Sequence, residues 1–176
     1  MENVAAKQLG LRVSKAGIRF DLNRLFDVKR KRGMFQAIRY AEGVQCVTAM
    51  NDALSDFFSL VESSCEFSSW GNECRVSSRG IVEDTLSEYF LEVEKNISIA
   101  SEKVTNDSNR NEILDLGRRI KGWRISINEF LEQSLEGHVY WVERSKGSGD
   151  NIVLNSAPSD VSDELNDLRN VAIDEG

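Results

Sequence analysis

The sequence predicts a mainly α protein, an elongated antiparallel helical bundle that ends in a two-stranded β piece. Three observations predict it. Apolar residues recur at alternating spacings of three and four in three long segments: Val47, Met50, Leu54, Phe57, Val61; then Leu86, Phe90, Val93, Ile97, Ala100, Val104; then Ile113, Leu116, Ile120, Trp123, Ile127, Phe130. Such a series averages about 3.5 residues per repeat and marks a narrow apolar seam on one helix face. Second, only the short polar stretch TNDSNRN separates the last two segments. A connection that short folds two helices back antiparallel, and with the first long helix they form a three-helix bundle. Third, VYWVER at 139–144 and NIVLNS at 151–156 carry the β-branched and aromatic residues of strands.

The remaining elements follow in chain order. Residues 3–9 read as the end of a helix, with Gly10 able to take the left-handed position after it. LRVS is short and extended. Ser14 can cap a helix from Lys15 to about Phe26, with Ile18, Leu22, Leu25 and Phe26 on one side. The run Lys29-Arg30-Lys31-Arg32 and Gly33 form a loop, and MFQAIRYA is a further short helix. SSCEFSSWGNECRVSSRG is irregular or briefly extended. Asn109, with Glu112 three residues on, can cap the third long helix, and Gly137 ends it. SKGSGDN, with GSG at 147–149, is a turn between the strands. Pro158 breaks the second strand, and VSDELNDLRN is a last short helix capped by Ser162 or Asp160.

The seams are read as core, with Trp123 a packing residue and no polar constellation pointing inward. Two strands alone are marginal in water. Tyr140, Trp141, Val142, Ile152, Val153 and Leu154 put apolar groups on both faces of this pair, as in strands inside a larger layered structure. The expectation is therefore a strand pair without its sheet neighbours and two poorly anchored chain ends.

Composition bounds the function. The chain has 176 residues, 40% of them apolar and 29% charged, which is globular rather than disordered. No apolar run approaches the roughly 18–20 residues of a membrane span. MENVAAKQLG has no basic stretch followed by an apolar one, so no secretory signal is read there. A soluble cytoplasmic protein is expected. Cys46, Cys65 and Cys74 are odd in number and unevenly spaced, which fits neither a disulfide framework nor a CxxC metal site. With His138 they could supply four zinc ligands, but ordinary reduced thiols in or near the core are the reading adopted.

The net charge of −7 is unevenly spread. Residues 1–40 hold ten Lys/Arg against three Asp/Glu, and the remaining 136 residues carry −14. The positive charge is densest at Lys29, Arg30, Lys31 and Arg32, with Arg24 and Arg39 on either side. Such a run can contact phosphate or form a solvated loop.

Machinery for catalysis is not found in the sequence. GxxxxGK[ST], GxSxG, HExxH and CxxC are missing, and one histidine has no matched nucleophile. Glu2, Asp21, Asp115 and Glu129 read as isolated or on solvent faces. Asp160, Asp163, Glu164 and Asp167 suit the start of a helix.

Several segments, in order, resemble one family. ENVAAKQLGLRVSKAGIRFDLNRLFDVKRKRGMF is similar to the stretch after the DEAH box in DinG-type ATP-dependent DNA helicases, superfamily 2 relatives of XPD. Leu22-Asn23-Arg24-Leu25-Phe26 and Lys31-Arg32-Gly33 match its N-R-L-F/Y element and basic loop. NEILDLGRRIKGWRISINEFL resembles the last long helix of the family's arch insertion. HVYWVER and NIVLNSAPSDVSDEL resemble the return into the first motor domain, before the S/T-A-T motif.

The resemblance implies a motor-domain flank and basic loop over 1–40, a helical arch over 41–137, and a return to the motor domain over 138–176. The two strands would then be edge pieces of an incomplete α/β motor domain. The family binds ATP and Mg through segments that find no match here, so the chain is expected to be no enzyme on its own and to hold no cofactor. The implied role is that of a helicase fragment whose arch helps guide single-stranded DNA. Arg24, Lys29, Arg30, Lys31 and Arg32 are the candidate contacts, and the remaining helicase segments or a second copy are candidate partners. The alternative is a stand-alone helical interaction or dimerisation protein.

Overall fold

The computed structural model describes residues 10–69, 71–145 and 151–159. The expected helices at 3–9 and 161–170 and the turn at 147–149 lie outside the described residues. Nine elements are described: β1 (Arg12–Ser14), α1 (Lys15–Leu25), α2 (Met34–Ala37), α3 (Ala41–Ser63), β2 (Glu73–Val76), α4 (Ser87–Lys103), α5 (Asp107–Glu132), β3 (His138–Arg144) and β4 (Ile152–Pro158). The chain is mainly helical.

The three seams are the three long helices α3, α4 and α5, and their apolar residues are buried except Trp123, which is half-buried against the core. Ser14 caps α1 as its type predicts: its Oγ accepts the Gly17 backbone N–H at 2.9 Å. The cap of α5 is Asn106 rather than Asn109. Asn106 Oδ1 accepts the Asn109 N–H at 3.1 Å, so the helix starts three residues earlier than expected. Gly137 does not end α5 either. Gln133 ends it in the left-handed region (φ 46°), and its amide donates to the Val76 and Ser78 carbonyls at 3.2 and 3.0 Å. Those two bonds hold a conformation usually left to glycine.

The long helices do not pack as a threesome. α1 packs against α3 and α5, and α4 packs against the same two, so four helices close a ring around one core. Side-chain pairs fix the directions. Asp21 meets Arg119 and Arg24 meets Glu112, so α1 runs antiparallel to α5. Glu94 meets Arg124 and the Ser101 carbonyl meets Arg110, so α4 does too. Ile18, Leu22 and Leu25 of α1 are fully buried and supply the fourth wall.

The sheet corrects the expectation of a two-stranded C-terminal piece. It has four strands in the order β1-β4-β3-β2, every neighbouring pair antiparallel. β4 pairs with β1 through Arg12↔Asn155, Val13↔Leu154 and Ser14↔Val153. β3 pairs with β2 through Glu73↔Glu143 to Val76↔Tyr140. The missing partners are therefore in the chain, as LRVS and part of the stretch read as irregular or briefly extended. Period-2 alternation announces a strand but not its partner, which here lies far off in sequence. Pro158 does not break β4 but closes it. It sits opposite His138, past the three residues that β1 covers, where no ladder N–H is needed on that side.

One face of the sheet (Val13, Leu154, Val142, Tyr140, Val76) joins the helical seams in a single hydrophobic cluster. The segments 1–40, 41–137 and 138–176 all contribute to that core and to that sheet.

Candidate nucleic-acid interface

The basic run is built by a tight turn at the end of α1. The backbone N–H of Asp27 donates to the Arg32 carbonyl at 2.7 Å. Asp27 Oδ1 accepts the N–H groups of Lys29 and Arg30 at 3.0 and 2.9 Å. Aspartate favours such turns because its short carboxylate mimics a backbone acceptor. Lys31 turns the chain at φ 51°, and Gly33 continues it at φ 148°. The result is that Lys29, Arg30, Lys31 and Arg32 all stand exposed, at the opposite end of α1 from the sheet. Arg30 lies 3.9 Å from Asp27 Oδ2, a long contact. Lys29, Lys31 and Arg32 have no ion-pair partner among the described residues.

Arg24 belongs to the same surface but is not a bare cation. Its Nη2 is 2.5 Å from Glu112 Oε1, so part of its charge is compensated. The structure thus brings four of the five residues selected from the sequence into one exposed turn and sets the fifth beside it, half-buried.

Three open grooves meet around the outer side of α1. One, of about 360 Å³, is lined by Phe20, Asn23, Arg24, Asp27, Arg30, Arg32 and Gly33. It shares Asn23, Asp27 and Arg30 with a groove of about 450 Å³ between α1 and α3. It shares Arg24 with a third, of about 580 Å³, between α1 and the start of α5. Seven Lys/Arg against four Asp/Glu line the three together, a positive stripe on an acidic molecule. The fields of such a stripe favour an anionic chain over the rest of the surface.

Phe20 was not legible as part of a site from composition. It is 62% exposed. Helical phase carries the signal: at about 100° per residue, Phe20 lies on the side of α1 opposite Ile18, Leu22 and Leu25.

Two expectations about polar residues are corrected. Asp21 is not on a solvent face; it is fully buried. Its Oδ2 accepts Arg119 Nε at 3.1 Å and Trp123 Nε1 at 2.8 Å, and its Oδ1 lies 2.9 Å from Arg119 Nη2. Oδ1 is otherwise without a well-angled hydrogen bond among the described residues. The seams do therefore enclose polar groups. Asn96, also buried, accepts the Tyr40 hydroxyl at 2.6 Å. Trp123 is half-buried at the edge of the core, lies beside Gly17 and anchors Asp21. A residue's helical phase shows which side it faces, not whether a neighbouring helix brings it a partner.

The cysteines are free thiols. Burial, first of all, pushes the Cys46 thiol up to about 11 and the Cys65 thiol up to about 12; Cys74 beside Cys65 adds to the second shift. Among the described residues, no group of three His, Cys, Asp or Glu is placed to hold a metal ion. Nor is any helix among them long and apolar enough to cross a membrane.

No family model, curated protein or solved structure matches this chain.

Proposed function

We propose that this chain is the arch region of a DinG-type ATP-dependent DNA helicase, with its short motor-domain flanks, and that it guides single-stranded DNA. The helices would form the arch, elongated beside a cytoplasmic motor whose other segments bind ATP and Mg. The observation that carries the reading is the turn Lys29–Arg32. Four adjacent cations are exposed, next to Arg24, and three of them line grooves on an acidic molecule. A single strand needs only such cations to track its backbone. The role is binding and guidance, and no step of chemistry is assigned to these residues.

The test is the anisotropy of a labelled single-stranded oligothymidylate titrated with the full chain at rising salt. Binding should weaken as salt rises, since neutralised phosphates release counterions. Changing Lys29, Arg30, Lys31 and Arg32 together to Ser should lower the slope of log affinity against log salt by about 3, from roughly 0.7 per phosphate contact. An absence of binding at low salt would remove the proposal.

A further inference from the structure

Phe20 is an aromatic side chain where packing does not need one. The core side of α1 is already filled by Ile18, Leu22 and Leu25, each fully buried. Phe20 leaves 62% of its surface in water instead. Nor is it part of an apolar patch: the groove around it is otherwise lined by arginine, asparagine, aspartate and glycine. A protein-docking face would surround an anchor with further apolar groups. Here the groove that holds the ring is shared with Arg24, Arg30 and Arg32.

That pairing of features matches one kind of ligand. Single-strand binders combine a cationic track for phosphates with an aromatic ring on which a base stacks. The grooves on either side of Phe20 are continuous with its own through Arg24 and through Asn23, Asp27 and Arg30. The groove that holds the ring lies between the other two in the residues it shares, so a strand that follows all three comes to Phe20. We infer that Phe20 is a base-stacking platform at the centre of this stripe, so that the surface takes base-bearing single-stranded DNA rather than any flexible polyanion. This rests on the proposed guidance of single-stranded DNA and adds to it the part of the nucleotide that is recognised.

The experiment compares two ligands of equal length with the full chain: oligothymidylate, and the same backbone carrying abasic tetrahydrofuran units. Phe20→Ala should weaken oligothymidylate binding about 5- to 20-fold, the loss of one stacked base. It should leave the abasic strand's affinity unchanged, and Phe20→Tyr should restore the wild-type preference for bases. The exposed position means that Phe20→Ala should keep the helical circular dichroism and melting temperature of the wild type. Equal weakening of both ligands, or of neither, would overturn the stacking role while leaving the cationic track in place. If the wild-type chain bound neither ligand, the guidance proposal and this inference would fall together.

Discussion

At the scale of single residues, Asp21 decides most. A carboxylate with no solvent exposure is tolerated only when its charge is met, and Arg119 and Trp123 meet it. Removing Arg119 would leave a buried charge with one donor. Arg119→Ala should therefore destabilise the fold by about 3 kcal/mol, the low end for breaking a buried pair, because the guanidinium itself is half exposed. Urea denaturation would measure it, and a loss below about 1 kcal/mol would show that the pair contributes little. The thiols make a separate prediction. Cys46 and Cys65 hold their protons to about 11 and 12 in the folded chain, against an ordinary value of 9.0. The unfolded chain loses those protons first. Their contribution to stability is therefore complete below pH 9.0 and is lost as pH rises through about 11 to 12. Replacing both by Ala should flatten the fall of melting temperature over that window. Neither thiol should be alkylated at pH 8 as fast as a free cysteine.

At the scale of elements, the turn after α1 depends on Gly33. A Cβ there would lie 2.5 Å from the Leu25 carbonyl oxygen, at a φ that side chains rarely adopt. Gly33→Ala should cost about 1–3 kcal/mol and, by displacing the turn, should also weaken the proposed binding of single-stranded DNA. Chemical denaturation and anisotropy on the same variant would read both effects. The strands make the opposite point. Each of β3 and β4 has a neighbour on both sides, so their amides should exchange slowly. Hydrogen exchange should find the residues Tyr140–Val142 and Val153–Asn155 protected to within about tenfold of the centre of α5. Exchange near the unfolded rate would mean that the sheet pairings are not formed in solution.

At the scale of the molecule, one hydrophobic cluster runs from Val13 through the helical seams to Leu154. The chain between these ends should melt as one unit. Leu154→Ala, at a fully buried position of β4, should cost about 2–5 kcal/mol. It should also lower the midpoints of helical circular dichroism and tryptophan fluorescence together. Separate midpoints would show that the sheet and the helices unfold independently. Charge is organised at this scale too. The positive stripe crosses α1, while the residues after position 40 carry −14, so the stripe stands out against an acidic background.

The sequence by itself determined the long helices, the faces they bury, the Ser14 cap, the charge asymmetry and the exposed basic turn. These are local properties: a helix writes its buried face every three or four residues, and a tight turn depends on one aspartate and one glycine. Only the tertiary structure decided that α1 closes the ring of helices, that LRVS and ECRV flank the last two strands, and that Asp21 is buried. It also placed Phe20 inside a cationic groove. Each of those facts needs a partner from elsewhere in the chain, and neither strand alternation nor helical phase says which partner that is. The distance in sequence between Arg12 and Asn155, or between Asp21 and Arg119, is the physical reason they were not legible before the fold.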